Sequence, residues 1–366
     1  MEGINLLESF KKLPRSVKHL ILGIFFSQLA IGLLFIDASY FLTGVKKLPA
    51  TFSGLFFSIE GVSSVLLSVP FGALSDRHGR KKFVIVGNTV IGLSVALISI
   101  TNFEPLLLLS AFLSGAGDAA FTASTGALLA QHSTSENRVA VFSLASLTSD
   151  LTWGIGGFAL LLVTPLTSFG ISAERTHVLL YLSLGIFAIC SNVALLKVGE
   201  SKPSIRRTKL SKHTKHLLLR YTFSNSFFAF GAGMVVPLIS EWFYYRYGVT
   251  DALSGPILGA SNLAIALTTL IAPSLTKRFG LVKSIVLTEG LSTLFMFVTP
   301  LPSSFWVSGS VYIVRTYERR RSAFFSVDHG NHSRRRKRSS FWDELRALEN
   351  AQRTKLVPRL CAYQSW

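Results

Sequence analysis

Residues 72–82 read Gly72-Ala73-Leu74-Ser75-Asp76-Arg77-His78-Gly79-Arg80-Lys81-Lys82. Charge is concentrated here, yet on either side the chain runs apolar, over 52–73 and over 83–103. A helix rises about 1.5 Å per residue, so about 20 apolar residues span a hydrocarbon layer of about 30 Å. The stretch therefore reads as a turn joining two membrane-crossing helices. Gly79 permits the tight turn, Gly72 lets helices pack closely, and Asp76 sets a negative charge beside Arg77 and Arg80.

The same pattern repeats outward from this hairpin. Nine apolar runs of spanning length follow one another, at about 18–42, 52–73, 83–103, 105–130, 140–163, 176–196, 221–240, 252–275 and 284–300. A tenth starts after Pro300-Leu301-Pro302, ends near Val314 and is short for a span. Of the 366 residues 49% are hydrophobic and 15% charged, with a mean hydropathy of +0.46 and 29 Phe. Soluble domains carry about 25% charged residues, so a soluble enzyme is excluded and the fold class is an all-α membrane protein. The first run is too long for a cleaved signal peptide and is interrupted by Asp37, so it reads as a retained span.

The formal charge of +18 sits in blocks between the runs. Counted in alternate loops up to residue 300, 20 Lys and Arg fall on one side and 4 on the other. Cytoplasmic loops accumulate basic residues, so the N-terminus is expected in the cytoplasm of a plasma-membrane protein. The most basic loop, 197–220, contains Gly199, Ser201, Pro203 and Ser204 and reads as a linker facing lipid head groups. It separates a six-helix bundle, 1–196, from an incomplete second bundle, 221–316, and a basic tail, 317–366.

Sliding the second part onto the first by 201 residues aligns Ser53 with Ser254, Gly54 with Gly255, Leu66 with Leu267 and Leu74 with Leu275. Arg77, Gly79 and Lys82 then meet Arg278, Gly280 and Lys283. Seven identities in thirty ungapped positions exceed the roughly two expected by chance and point to a parallel duplication.

The 72–82 stretch resembles the loop signature G-x-L-x-D-R-x-G-R-K-x of the major facilitator superfamily. Glu136, Arg138 and Ala140 are similar to that family's acidic-Arg-Gly-Ala loop, with Val139 in place of the glycine, and Gly154, Gly156 and Gly157 resemble its glycine-rich fifth helix. The resemblance covers residues 1 to about 315. It implies two six-helix halves, with substrate bound between them near the bilayer midplane and access alternating as the halves rock. It implies that Gly72, Asp76, Arg77, Gly79, Arg80 and Lys81 latch the cytoplasmic side, Asp76 also facing the start of an eleventh helix. The fourth helix departs from the family. Ala111 stands where many members carry an arginine before Gly115-Ala116-Gly117, and Asp118 follows.

Five carboxylates fall within the runs: Asp37, Glu60, Asp118, Asp150 and Glu289. An ionised carboxylate in lipid costs about 3 kcal/mol on insertion scales, so each needs a cavity or a partner. Glu60 and Asp118, central in their runs, suit the transport path, with Gly115 and Gly117 leaving space beside Asp118 and, like Gly154, Gly156 and Gly157, suiting close helix packing. Asp37 and Asp150 are further candidates for the path or for coupling, but they lie nearer the ends and better suit a helix cap or an interfacial place. Glu289 belongs to a ninth helix that in the family is often peripheral.

No catalytic constellation is present. Cys190 and Cys361 form no C-x-x-C pair, no H-E-x-x-H or P-loop occurs, and no cofactor is implied. Any driving energy must come from a gradient of protons, another coupling ion or the substrate.

Beyond Thr316 the apolar runs stop, and 13 of the 37 Lys and Arg lie beyond residue 300, including Arg334-Arg335-Arg336-Lys337-Arg338. One reading is a nucleic-acid or targeting patch. The favoured reading is a shifted frame: His332 to Ser340 can be encoded so that the next frame reads Ile-Pro-Glu-Glu-Glu-Arg-Gly-Ala, the loop expected between helices 10 and 11. The sequon at Asn331 is then accidental, and no nucleic-acid partner is expected.

The expected function is secondary transport of a small solute, with the Phe content and few buried charges suiting efflux of a hydrophobic compound coupled to protons. The alternative is a truncated, non-transporting membrane protein or scaffold, since 9 to 10 helices replace 12.

Overall fold

The computed structural model describes residues 13–134, 137–199, 231–279 and 281–319. Ten helices organise them: α1 (Arg15–Tyr40), α2 (Ala50–His78), α3 (Arg80–Ile100), α4 (Glu104–Gln131), α5 (Arg138–Ala159), α6 (Ala173–Cys190), α7 (Ile239–Tyr247), α8 (Asp251–Phe279), α9 (Leu281–Val298) and α10 (Phe305–Arg319). A π-turn, Phe41–Val45, extends α1, and a 3-10 turn at Leu160–Leu162 carries α5 into a short helix, Val163–Ser168. A five-residue helix, Asn192–Leu196, follows α6. Pro14 and Pro49 precede α1 and α2, where a missing N–H costs no helical bond, and Ser172 caps α6 by accepting from the Arg175 N–H.

Six helices among the described residues are long and apolar enough to cross a membrane: Arg15–Val45, Ala50–His78, Arg80–Ile100, Glu104–Gln131, Ala140–Ser168 and Ala173–Leu196. On α2, Val62, Val65, Leu66 and Val69 make an outward apolar stripe at helical spacing, Val69 being 77% exposed, while Glu60 and Ser63 of the same helix are buried. A soluble helix would invert this arrangement; with lipid as solvent the polar groups turn inward. The chain is a multi-pass integral membrane protein.

Within the first half α4 packs between α2 and α3, α3 packs on α6, and α1 lies along α5. Asn88, fully buried on α3, ties this half together: its amide donates to Ala188 O, Ser191 Oγ and Asn192 Oδ1 at 2.7–2.9 Å, and its carbonyl accepts from Ser27. The second half joins through α8, which packs against α5 and against α10.

The duplication reappears in the element limits. α2 and α8 begin and end 201 residues apart, α9 starts 201 residues after α3, and α10 starts 201 residues after α4. Ser39 and Ser240, equivalent in the two halves, meet with their hydroxyls 2.8 Å apart and buried. Equivalent residues touch only where they lie close to the axis relating the copies, so this bond marks that axis.

The structure departs from the sequence expectation at the end of the second half. α10 continues to Arg319, beyond the run ending near Val314, because its amphipathic pattern brings Tyr312 and Arg315 into buried positions, the guanidinium 5.1 Å from the Tyr312 ring centroid. Helical order thus passes Thr316, where the tail was placed to begin. The rest of the tail, most of the 197–220 linker, the start of the seventh run, Glu136 and the Glu289 side chain lie outside the described residues.

Candidate functional site

Charged and polar side chains gather at three levels of the molecule. At the first, the 72–82 turn, Gly79 ends α2 with φ 108°, the conformation for which a glycine was expected. Asp76 is exposed and pairs with Arg80 of its own turn at 2.8 Å. Arg80 also donates to Ala127 O and Gln131 Oε1, both at 3.3 Å, and so ties the turn to the end of α4. Lys81 reaches Leu196 O after α6, and Arg77 points to the surface. The close packing expected of Gly72 is not found: a methyl group there would meet only Ala123 Cβ, at an ordinary 3.9 Å. The eleventh helix that Asp76 was expected to face lies outside the described residues.

The second level holds Glu60 on α2 and Asp118 on α4. Glu60 is buried; Asp118 is partly buried and accepts from Ser64 Oγ at 3.2 Å and Thr122 Oγ1 at 3.0 Å. The adjacent glycines pack helices rather than leave room. A methyl group at Gly115 would fall 2.1 Å from Glu60 O, and one at Gly117 would fall 2.9 Å from Gly87 O on α3. They let α4 wedge between α2 and α3 and hold Asp118 at a fixed height beside Glu60.

At the third level, the end opposite the 72–82 turn, the two halves meet. Gly154 and Gly157 face α8, where a methyl at Gly157 would fall 2.7 Å from Gly259 Cα; Gly156 faces α1, 3.1 Å from Leu33 N. Ser53 on α2 donates to Glu241 Oε2 on α7, beside the Ser39–Ser240 contact. Tyr40 packs edge-on against Tyr244, ring centroids 5.2 Å apart.

Beneath these contacts lies a cluster that draws on both halves. His177 Nε2 on α6 is 2.9 Å from Asp251 Oδ2 on α8 and 3.8 Å from Asp37 Oδ2 on α1. Tyr181 Oη donates to Asp37 Oδ2 at 3.0 Å, and Phe41 stacks on both rings, centroids 5.2 Å from His177 and 5.1 Å from Tyr181. The His177, Asp37 and Asp251 side chains are at most 2% exposed.

This placement corrects the expectation for Asp37. It is no helix cap: helical structure continues past it to Val45, and α6 and α8 close over it. Asp150 likewise sits mid-way along α5, buried and engaged with a partner. Sequence reasoning missed His177, Tyr181, Glu241 and Asp251. His177 and Asp251 stood at the margins of apolar runs and looked like loop residues. One signal pointed to Asp251, since the 201-residue offset sets it opposite Ala50 and so puts an acid at the start of one copy of a helix and a methyl group at the other.

The family model described as "Major Facilitator Superfamily" matches residues 20–324. An "Uncharacterized transporter" of Buchnera aphidicola (subsp. Schizaphis graminum) is 27% identical over 184 residues, 50% of this chain and 44% of the relative. The "Multidrug resistance protein MdtG" of Proteus mirabilis is 26% identical over 275 residues, 71% of this chain and 65% of the relative. The chain thus spans less than two thirds of the length of these two relatives. Among solved structures, that of the nucleoside transporter NupG aligns with a TM-score of 0.63 at 12% identity, covering 85% of this chain and 80% of that one.

Proposed function

The chain belongs to the Major Facilitator Superfamily, and from that premise we propose that it is a secondary active transporter, located in the plasma membrane with its N-terminus cytoplasmic. It moves a small hydrophobic compound outward by alternating access, coupled to protons. The observation that carries this reading is the buried polar seam between the halves, in which Ser39, Ser53 and the His177–Asp251 pair bridge helices of the two repeats at the end opposite the 72–82 turn. A seam of hydrogen-bonded side chains can be exchanged for water when that end opens, which a purely apolar seam cannot do without loss. With the basic loops cytoplasmic, the closed end is the extracellular one.

Efflux is supported by the names of relatives such as the multidrug resistance protein of Proteus mirabilis. Glu60 and Asp118 are proposed to line the path and exchange the coupled proton. They are carboxylates held at the level of the helix interior, next to the position where Ala111 replaces the arginine of many family members. The turn at Asp76 is proposed to latch the opposite end when it closes, with Arg80 as its partner in the state described here.

The test is flux in proteoliposomes. A fluorescent hydrophobic cation should move against its gradient when a pH difference is imposed, and Glu60→Gln or Asp118→Asn should uncouple that movement from the pH difference. Absence of flux from correctly folded protein would favour the non-transporting scaffold. Single cysteines at Ser204 and Lys46 should label from opposite faces; labelling from one face would overturn the orientation.

A further inference from the structure

The cluster of Asp37, His177 and Asp251 has a feature that transport of an organic solute does not require. His177 Nδ1 lies 2.7 Å from Ala173 O. A carbonyl only accepts, so Nδ1 carries the proton of this contact, and the other ring nitrogen, Nε2, is left to face two carboxylates. A lone pair on Nε2 would repel both. Something positive must stand between them, and the choice lies between protons and a metal ion.

Two carboxylates with a neutral imidazole total two negative charges, which two protons or one divalent cation would neutralise. The proton solution is unsatisfactory at one atom. Asp37 Oδ1 is fully buried with no hydrogen-bond partner among the described residues, so a proton there would have no acceptor and a bare oxygen would have no donor. An ion held through both oxygens of the Asp37 carboxylate would satisfy that atom as well as Oδ2, which faces His177. The three ligand atoms lie within 4.8 Å of one another, with His177 Nε2 at 2.9 and 3.8 Å from the two carboxylate oxygens. Donors bound at about 2.0–2.2 Å to one ion stand about 3–3.6 Å apart, so the two His177 distances need shifts of a few tenths of an ångström, and the two carboxylates, within 4.8 Å, need to close by about 1 Å at most. The surroundings are those of a metal centre: the distal imidazole nitrogen is fixed by a backbone carbonyl and one carboxylate by a tyrosine hydroxyl.

We propose that Asp37, His177 and Asp251 bind a divalent transition-metal ion, which holds this end of the two halves closed. An imidazole with two carboxylates suits Zn²⁺ or Mn²⁺ better than Mg²⁺ or Ca²⁺, which take oxygen ligands. Asp37 and His177 belong to the first half and Asp251 to the second, so opening divides the ligand set. An ion that binds one state only shifts the equilibrium towards it. The inference does not depend on what the chain carries.

The experiment titrates the full chain, purified in detergent without a polyhistidine tag, with Zn²⁺ and separately with Mn²⁺. One equivalent should bind and raise the unfolding temperature. His177→Gln and Asp251→Asn should each weaken binding more than ten-fold, and Tyr181→Phe, which keeps all three ligands, by about 10–100-fold. Pulsed electron paramagnetic resonance of Mn²⁺ bound to the unmutated chain should show coupling to a histidine nitrogen, a readout independent of whether any variant folds. In a Cys190→Ser, Cys361→Ser background, Mn²⁺ should slow labelling of a single cysteine at Ser240. No bound equivalent, no nitrogen coupling, or binding unchanged in all three variants would overturn the site. Unchanged labelling with the ion bound would overturn its closing role.

Discussion

Lys46 and Tyr247 stand at the same place in the two halves and perform the same task with different chemistry. The Lys46 ammonium donates to Thr101 O at 2.6 Å, and the Tyr247 hydroxyl donates to Pro302 O at 2.7 Å; Thr101 and Pro302 are themselves 201 residues apart. Each bond ties the outer end of the first helix of a hairpin pair to the end of the third. Burial pushes the Lys46 ammonium below its ordinary range, while the charge of Glu174 acts in the other direction. The duplicated backbone contact has been kept and the donor replaced. The carboxylates of the interior behave differently, for none is duplicated: Asp37 faces Leu238 across the repeat, Glu60 faces Ser261, Glu241 faces Tyr40 and Asp251 faces Ala50. Repetition thus accounts for the scaffold, and the interior carboxylates lie where it was broken.

The largest effects should separate packing within a half from packing between halves. Gly115→Ala drives a methyl group into the backbone of α2, all within the first half, and no rocking of the halves relieves it. It should cost about 1–3 kcal/mol of stability and lower the unfolding temperature in detergent. Gly157→Ala makes a less severe contact, 2.7 Å against 2.1 Å, and makes it with α8 of the second half. There the halves can part, so the expected outcome is faster labelling of a cysteine at Ser240 with the unfolding temperature largely kept. Equal behaviour of the two variants would mean that the halves do not move independently.

Next comes the seam itself. Glu241→Gln exchanges the charged acceptor of the Ser53 bond for a neutral one, a loss of about 1 kcal/mol and so about five-fold in the ratio of closed to open forms. Its equivalent, Tyr40→Phe, should leave that ratio unchanged, because Tyr40 meets Tyr244 through its ring. Labelling rates at Ser240 measure both, and a shift of similar size in Tyr40→Phe would show that the seam depends on packing rather than on the carboxylate.

These contrasts also explain how far the sequence could be read. Most helix limits within a few residues (though not the end of α7 at Tyr247), the 201-residue period and the turn at Asp76 follow from hydropathy, charge blocks and glycine placement, which act locally. The His177–Asp251 pair did not, because its burial arises only when α6 and α8, from different halves, close over α1. Asp37 was read as near a span end on the length of its apolar run, and it is buried by the approach of α6 and α8, which no local pattern announces. Gly115 and Gly117 were legible as packing glycines, but not that their neighbours are the backbones of α2 and α3.

A smaller effect is expected from the tie with which the comparison began. Lys46→Met removes bonds to Thr101 O and Asn102 Oδ1. Since the ammonium is about half exposed, screening reduces its contribution to about 1 kcal/mol. Tyr247→Phe removes one neutral hydrogen bond, worth about 0.5–1.5 kcal/mol. If the ties are equivalent, the two unfolding temperatures should fall by similar amounts and the double variant should be additive, the sites having no shared partner.

The smallest effect lies one residue further on. Lys47 and Gly248, again 201 residues apart, both adopt the left-handed conformation, with φ of 59° and 67°, and Lys47 is the one non-glycine with positive φ among the described residues. The backbone turn between the first and second helix of each half therefore survives in both copies, although only one keeps the residue suited to it. A side chain in this conformation costs about 1 kcal/mol, and a glycine loses about 0.5–1 kcal/mol more conformational entropy on folding than alanine does. In Lys47→Gly the two terms nearly cancel, and since Lys47 is exposed there is no packing to lose. Its unfolding temperature should stay within about 2 °C of the parent. Gly248→Ala has the left-handed cost opposed only by the smaller entropy of the unfolded chain, so it should be neutral to slightly destabilising. A clear stabilisation by Lys47→Gly would show that the first half still carries strain which the second half, with its glycine, does not.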